Sequence, residues 1–236
     1  MKKFLTILTH KGVISYMPLK ISSPENITAN FFMRDETPAS DSFPHVMPSQ
    51  VHGKNIIVIN DSNISDYALP FRPEADGILL TVPDVTASLR FADCAPVMIC
   101  GDSWVMILHS GYKGTVLNIS GEGLRIAREV FGDVSDSCAW IGPCIGREYF
   151  RKSGEEWTVR GIDSFHAGNF SVDGGKVYFD LAGEILSELL DGGLKRGNIA
   201  LSGINTLTDS RCCSYRRGDI HERMTLQARI KKGSTR

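Results

Sequence analysis

Three residues of this chain have side chains that can bind a metal ion or activate a nucleophile together: His52, Cys94 and His109. Each stands at the edge of a strand-like apolar run, where a rigid backbone can hold a side chain towards a cleft. Two imidazoles and a thiolate suit Zn²⁺, and three protein ligands leave a fourth position for water or substrate. Such an ion lowers the pKa of bound water towards about 7 and polarises a substrate oxygen. The same thiol and imidazole suit a nucleophile–base pair. They equally suit a small buried hydrophobe beside hydrogen-bonded histidines. One Cys with two His is also the ligand set of an electron-transfer copper site, with Met98 or Met106 as axial partner. A multicopper cluster asks for more imidazoles than His10, His45, His52, His109, His166 and His221 provide.

The elements that must position these residues start with Phe91 to Gly111, where two apolar runs flank Gly101-Asp102. A two-residue turn there predicts a hairpin. It sets Cys100 opposite Ser103, Met98 opposite Val105 and Cys94 opposite His109, with Cβ atoms of each pair about 4.5–5.5 Å apart. Pro96 cannot donate to a ladder and marks an edge or a bulge. Asp93 either orients a ligand histidine or caps a turn. The run His109-Ser110-Gly111-Tyr112-Lys113-Gly114-Thr115 is a Gly-rich turn feeding a helix, whose free N–H groups and dipole favour a phosphate or carboxylate beside Lys113. An ordinary turn with a solvated lysine fits the same residues. Arg216 and Arg217 can clamp an anion bidentately or simply face solvent. Tyr112 and Tyr215 can stack on a planar base or pack.

Taken in order, Phe4 to Thr9 reads as an opening strand, and the stretch to Ser49 as loops with at most a short strand or helix. Strands are expected over 55–60, 78–81, 86–91, 139–141, 177–179, 198–201 and 224–230. One helix carries Val116, Ile119, Gly123, Ile126 and Val130, with Thr115 as N-cap and Gly132 as its stop. A second is capped by Asp180, carries Leu181, Ile185, Leu186, Leu189 and Leu190, and ends at Gly192-Gly193. Strands outnumber helices without strict alternation, which predicts an α+β fold: a single domain over 1–236 with mixed β-sheets and flanking helices. The 236 residues are 42% apolar and 22% charged, with a net charge of -1. That balance gives no electrostatic case for nucleic acid or an acidic membrane surface. No run is long enough to span a membrane, and the N-terminal apolar run is too short and interrupted for a signal peptide. The six cysteines are too dispersed for a disulfide scaffold and are expected as free thiols in a cytoplasmic protein.

Five motifs then occur in order: Gln50-Val51-His52-Gly53, Ala92-Asp93-Cys94-Ala95-Pro96-Val97, His109-Ser110-Gly111-Tyr112-Lys113-Gly114, Trp140-Ile141-Gly142-Pro143-Cys144-Ile145-Gly146 and Ser214-Tyr215-Arg216-Arg217. Together they resemble the YfiH-like laccase-domain family, also called multicopper polyphenol oxidase or bacterial zinc purine nucleoside phosphorylase proteins. The resemblance implies the fold of that family and a zinc site made of His52, Cys94 and His109. It implies phosphorolysis of adenosine, inosine, guanosine or methylthioadenosine, and adenosine deamination; phenol oxidation and peptidoglycan editing are also attached to the family. Ser110, Tyr112 and Lys113 replace the usual Ala, Trp and Arg of the third motif, and lysine keeps the charge without the fork. Phe150-Arg151-Lys152 reverses a charge, Asn205-Thr206 stands for Cys-Thr, Glu222-Arg223 for Gly-Arg, and Leu8-Thr9-His10-Lys11-Gly12 for the early Ser-Thr-Arg motif. The expectation is therefore a zinc-dependent purine nucleoside phosphorylase acting on a purine nucleoside and phosphate, with Lys113, Arg216 and Arg217 holding the phosphate. A copper-dependent polyphenol oxidase and a metal-free cysteine hydrolase or peptidoglycan-editing protein are the alternatives.

Overall fold

A computed structural model describes residues 19–39, 41–154 and 156–232. The strands of the first half are β1 (Leu19–Lys20), β2 (Ile27–Phe32), β3 (His45–Val46), β4 (Ile56–Ile59), β5 (Gly77–Leu80), β6 (Thr86–Phe91), β7 (Ala95–Cys100) and β8 (Val105–Ser110). The second half adds β9 (Cys138–Ile141), β10 (Arg151–Lys152), β11 (Phe170–Asp173), β12 (Lys176–Phe179), β13 (Ile199–Leu201) and β14 (Met224–Ile230). The helices are α1 (Ile64–Tyr67), α2 (Tyr112–Val116), α3 (Ile119–Phe131), α4 (Glu156–Ser164) and α5 (Leu181–Asp191).

A six-stranded sheet of order β13-β9-β7-β8-β5-β4 forms the middle layer, and a five-stranded sheet of order β1-β2-β14-β6-β3 packs on one of its faces. Alternation along β8 serves both faces. Val105 and Ile107 enter the core between the sheets, whereas Met106 and Leu108 enter the core shared with Ile119, Leu124, Ile185 and Leu189 of α3 and α5. A strand buried on both faces reads as an unbroken apolar run, which is how this hairpin looks in the sequence. A small sheet of order β10-β12-β11 closes a third core around Tyr112, Phe165 and Phe179. Parallel pairs (β4 with β5, β13 with β9, β3 with β6) stand among antiparallel ones. The architecture is α+β with mixed sheets and flanking helices, as expected.

Three local expectations are corrected. The hairpin pairs Cys100 with Val105, Met98 with Ile107 and Pro96 with His109, two residues out from the predicted register. Trp104 causes this: it is buried and stacks on Phe131 at 5.4 Å, so residues 101–104 form the turn, closed by Gly101 N–H donating to Trp104 O. A shift of two keeps every side chain on its expected face. Pro96 lies in a central strand, but the ladder to β9 ends at Val97 with Ile141, and Gly142 N–H donates to Pro96 O instead. Secondly, the helix after His109 is broken. Thr115 sits inside α2, its hydroxyl donating to Gly111 O at 3.0 Å, and the N-cap of α3 is Asn118, which takes a left-handed φ of 55° and accepts from Gly121 N–H. Thirdly, the stretch before Ser49 contains β2, a full six-residue strand whose Ile27, Ala29 and Phe31 alternate into the core. The expected strand Phe4 to Thr9 and the motif Leu8 to Gly12 lie outside the described residues.

Candidate metal centre

Cys94 immediately precedes β7, and His109 is the penultimate residue of the neighbouring β8. The offset register leaves the two side chains diagonal rather than directly opposed. Room for this comes from Gly111, where a Cβ would stand 2.8 Å from Cys94 Sγ and 3.2 Å from His52 Cδ2. His52 arrives from the loop before β4 in a left-handed conformation, φ 61°, and Asp93, next to Cys94, does the same at φ 78°. Non-glycine residues held there cost about 1–3 kcal/mol each and persist where the surroundings enforce them. The Cys94 sulfur and one ring nitrogen from each histidine lie within 4.8 Å of one another. The histidine rings meet edge to face, centroids 4.8 Å apart.

Asp76, just before β5, enforces this arrangement. Its side chain is fully buried and accepts from His109 Nδ1 at 2.7 Å and from the amides of Val51, His52 and Gly53 at 3.2, 2.9 and 2.7 Å. The Asp76 carbonyl takes the His109 amide, also at 2.7 Å. With Nδ1 engaged, Nε2 is the nitrogen that His109 offers to a ligand. Burial alone would raise the Asp76 carboxyl, but His109 and the loop amides outweigh it and hold it below the usual carboxylate range. Burial likewise opposes ionisation of Cys94, yet the charges and hydrogen bonds of His109 and His52 bring its thiol down to about 6. Burial disfavours a charged His109, and Cys94 with Asp76 overcome that, lifting it to about 9. Each group thus favours the charged form of the other.

The triad lies in a cleft of about 990 Å³. Lys113 and Arg216 reach it: the Lys113 ammonium sits 5.1 Å over the Trp157 ring, and Arg216 lies over Phe150 at 5.8 Å with Nη1 donating to Tyr149 O. Arg217 does not line it. That guanidinium donates to the carbonyls of Thr206, Leu207, Asp209 and Cys212 and pairs with Asp219, so it braces the loop that carries Arg216. Lys113 is carried by a five-residue helix rather than by the long helix the periodicity suggested. Tyr112 packs among Phe150, Phe165 and Phe179, its hydroxyl donating to Trp157 O, while Tyr215 is exposed at the cleft mouth. Asp93 bonds no histidine among the described residues. It accepts from Thr206 Oγ1 at 2.6 Å and from Arg216 N–H at 2.8 Å, tying the late loop to the cysteine. Met106 points to the opposite face of its strand, towards Gly123 of α3, and Met98 into the core between the sheets. Asp76 and Trp157 were not singled out from the sequence, and Lys152 only as part of the Phe150-Arg151-Lys152 departure; the dipeptide Asp76-Gly77 ahead of a strand was the signal for the first.

The family described as multi-copper polyphenol oxidoreductase laccase matches residues 22–228. The chain belongs to this family. It is 25% identical over 187 residues to a purine nucleoside phosphorylase of Aquifex aeolicus (strain VF5), covering 75% of this chain and 79% of that one. Its fold is similar to YlmD from Geobacillus stearothermophilus, with a TM-score of 0.76 at 18% identity over 88% of this chain and 93% of the other. It is also similar to the Bacillus licheniformis hypothetical protein YfiH, with a TM-score of 0.74 at 22% identity over 87% and 93%. The fold that the five motifs imply is thus the fold observed. No helix among the described residues is long and apolar enough to cross a membrane.

Proposed function

We propose that this protein is a zinc-dependent purine nucleoside phosphorylase that cleaves adenosine, inosine, guanosine or methylthioadenosine, with adenosine deamination as a side activity. The observation that carries this reading is the convergence of His52, Cys94 and His109 within 4.8 Å in a cleft that also presents cations and aromatic rings. The donor set fits Zn²⁺: one sulfur whose ionisation the neighbouring histidines favour and two imidazoles, one oriented by a carboxylate. A zinc ion held there supplies Lewis-acid polarisation of a substrate oxygen. The chain's own residues do the rest. Lys113 and Arg216 attract the phosphate, Arg217 holds Arg216 in place, and Tyr215 and Trp157 offer faces on which a purine can lie. Asp76 orients the His109 ring and holds the His52 backbone in place.

Metal analysis of protein purified without added metal, followed by a phosphate-dependent nucleoside assay, tests this. Stoichiometric zinc and phosphate-dependent release of free base are expected; no cleavage by fully zinc-loaded protein would overturn the reading. One observation favours a second reading. Asp76, His109 and Cys94 form an acid–imidazole–thiol series of the kind that activates a cysteine nucleophile. It requires metal-free protein to be active and to be silenced by thiol alkylation. A copper oxidase has less support: the triad is the one such donor group among the described residues, and His45 and His166 are engaged by Ser88 and by Glu184 with Asp191.

A further inference from the structure

The cleft is strongly cationic although the chain carries a net charge of -1. Six cations line it (Arg72, Arg90, Lys113, Lys152, Arg216 and Arg223), against one carboxylate, Asp93, whose oxygens are already engaged. The cations fall into two groups on different elements. Lys113, Lys152 and Arg216 stand on the side of α2 and β10, among Tyr112, Phe150 and Trp157. Arg90 is the penultimate residue of β6, Arg223 immediately precedes β14, the strand paired beside β6, and Arg72 comes from the segment ahead of β5.

The second group lacks a counter-charge, and Arg72 and Arg90 are open to solvent. Gln50 brackets the Arg90 backbone, its Nε2 donating to Arg90 O at 2.9 Å and its Oε1 accepting from Arg90 N–H at 2.8 Å. The guanidinium groups of Arg72 and Arg90 have no hydrogen-bond or ion-pair partner among the described residues, and Arg223 is tethered only through the carbonyls of Asp219, Ile220 and Glu222. Burial and the positive charges of Arg223 and Arg72 together weaken the hold of Arg90 on its proton. Like charges brought together in a cleft focus a field that only an anion relieves, and guanidinium forks match phosphoryl oxygens.

We propose that Arg72, Arg90 and Arg223 form a phosphoryl-binding subsite, and that the nucleoside taken by this cleft carries a phosphate ester, as in a nucleoside monophosphate. The proposal rests on the nucleoside reading above. Phosphorolysis consumes one free phosphate, for which Lys113 and Arg216 suffice, so a second phosphoryl site points to a group on the substrate itself.

Calorimetric titration of the full chain with adenosine, adenosine monophosphate, ribose 5-phosphate and inorganic phosphate tests it at low ionic strength. The monophosphate should bind about tenfold or more tightly than adenosine. That ratio should collapse towards one in Arg90→Gln and in Arg72→Gln, and recover partly in Arg90→Lys, with circular dichroism reporting an intact fold. Adenosine binding with no advantage for the monophosphate overturns the subsite and leaves the nucleoside reading standing. An advantage that survives both glutamine variants also overturns it. So does arginine-dependent binding of inorganic phosphate with no advantage for the monophosphate, which would assign the arginines to the free co-substrate. Arginine-dependent binding of ribose 5-phosphate without binding of either nucleoside keeps the subsite and removes the nucleoside reading.

Discussion

Two buried carboxylates in this protein meet opposite fates. Asp76, 0% exposed, and Glu188, 4% exposed, are equally removed from water. Asp76 accepts from one imidazole and three backbone amides and is held ionised. Glu188, on the face of α5 that lies beside Ser120 of α3, leaves Oε2 without a hydrogen-bond partner among the described residues, as is Ser120 Oγ. Burial pushes its carboxyl up to about 8. The difference lies largely in the donors: burial penalises both charges, but only Asp76 has an imidazole and three amides to offset it, whereas Glu188 also faces the like charge of Glu184. At the metal centre a loop wraps three amides around a charge; between the helices only Ser120, through its hydroxyl and amide, works against burial, and too weakly to keep Glu188 ionised.

The largest expected effect comes from breaking the satisfied side. Asp76→Asn removes the charge that three amides and His109 converge on, and should cost about 3 kcal/mol or more in a urea titration. It should also weaken zinc binding by about 10- to 100-fold in a chelator competition. Unchanged zinc affinity in that variant would show that Asp76 does not govern the histidines. A smaller and more selective effect is expected of Gly111→Ala. The backbone there has an ordinary φ of -77°, so the fold should persist, but the added methyl meets Cys94 Sγ and His52. Zinc affinity should fall by on the order of tenfold with little change in unfolding free energy.

The unsatisfied side should respond in the opposite direction. Glu188 binds its proton more tightly in the folded protein, at about 8, than at its ordinary value of 4.5. Its contribution to stability is therefore complete below pH 4.5 and is lost as pH rises through 8. Each tenfold difference in proton affinity corresponds to about 1.4 kcal/mol. Glu188→Gln should match the parent near pH 5 and exceed it at pH 8 by about 1 kcal/mol or more, seen as a flatter plot of unfolding free energy against pH. A variant less stable than the parent at pH 8 would mean that the ionised carboxylate finds a donor after all, and the contrast with Asp76 would disappear.

Much of the scaffold was legible because its signals are local. Asp180 and Gly192 bound α5 as their types predict, and the apolar runs of β5, β6, β9 and β14 stand where the sequence put them. The register of the central hairpin was not, because it depends on Trp104 meeting Phe131 on a helix well along the chain. At the site, Cys94 and His109 announced themselves by type and spacing, whereas Asp76 did not. Its partners are backbone amides, which every residue has, brought near by the pairing of β4 with β5. The two adjacent arginines looked equivalent in the sequence. Only the path of the 206–219 loop turns Arg216 to the cleft and commits Arg217 to carbonyls.

The bracket that Asp76 forms across two chain segments also governs how such a site can be inherited. The placement of His52 and the tautomer of His109 hang on the same two oxygens, so neither ligand is an independent coordinate. A loop carrying His52 grafted from a relative keeps its geometry only if the residue ahead of β5 comes with it. The smallest exchangeable unit of this site is therefore the run from Val51 through Asp76 taken together with the β8 end.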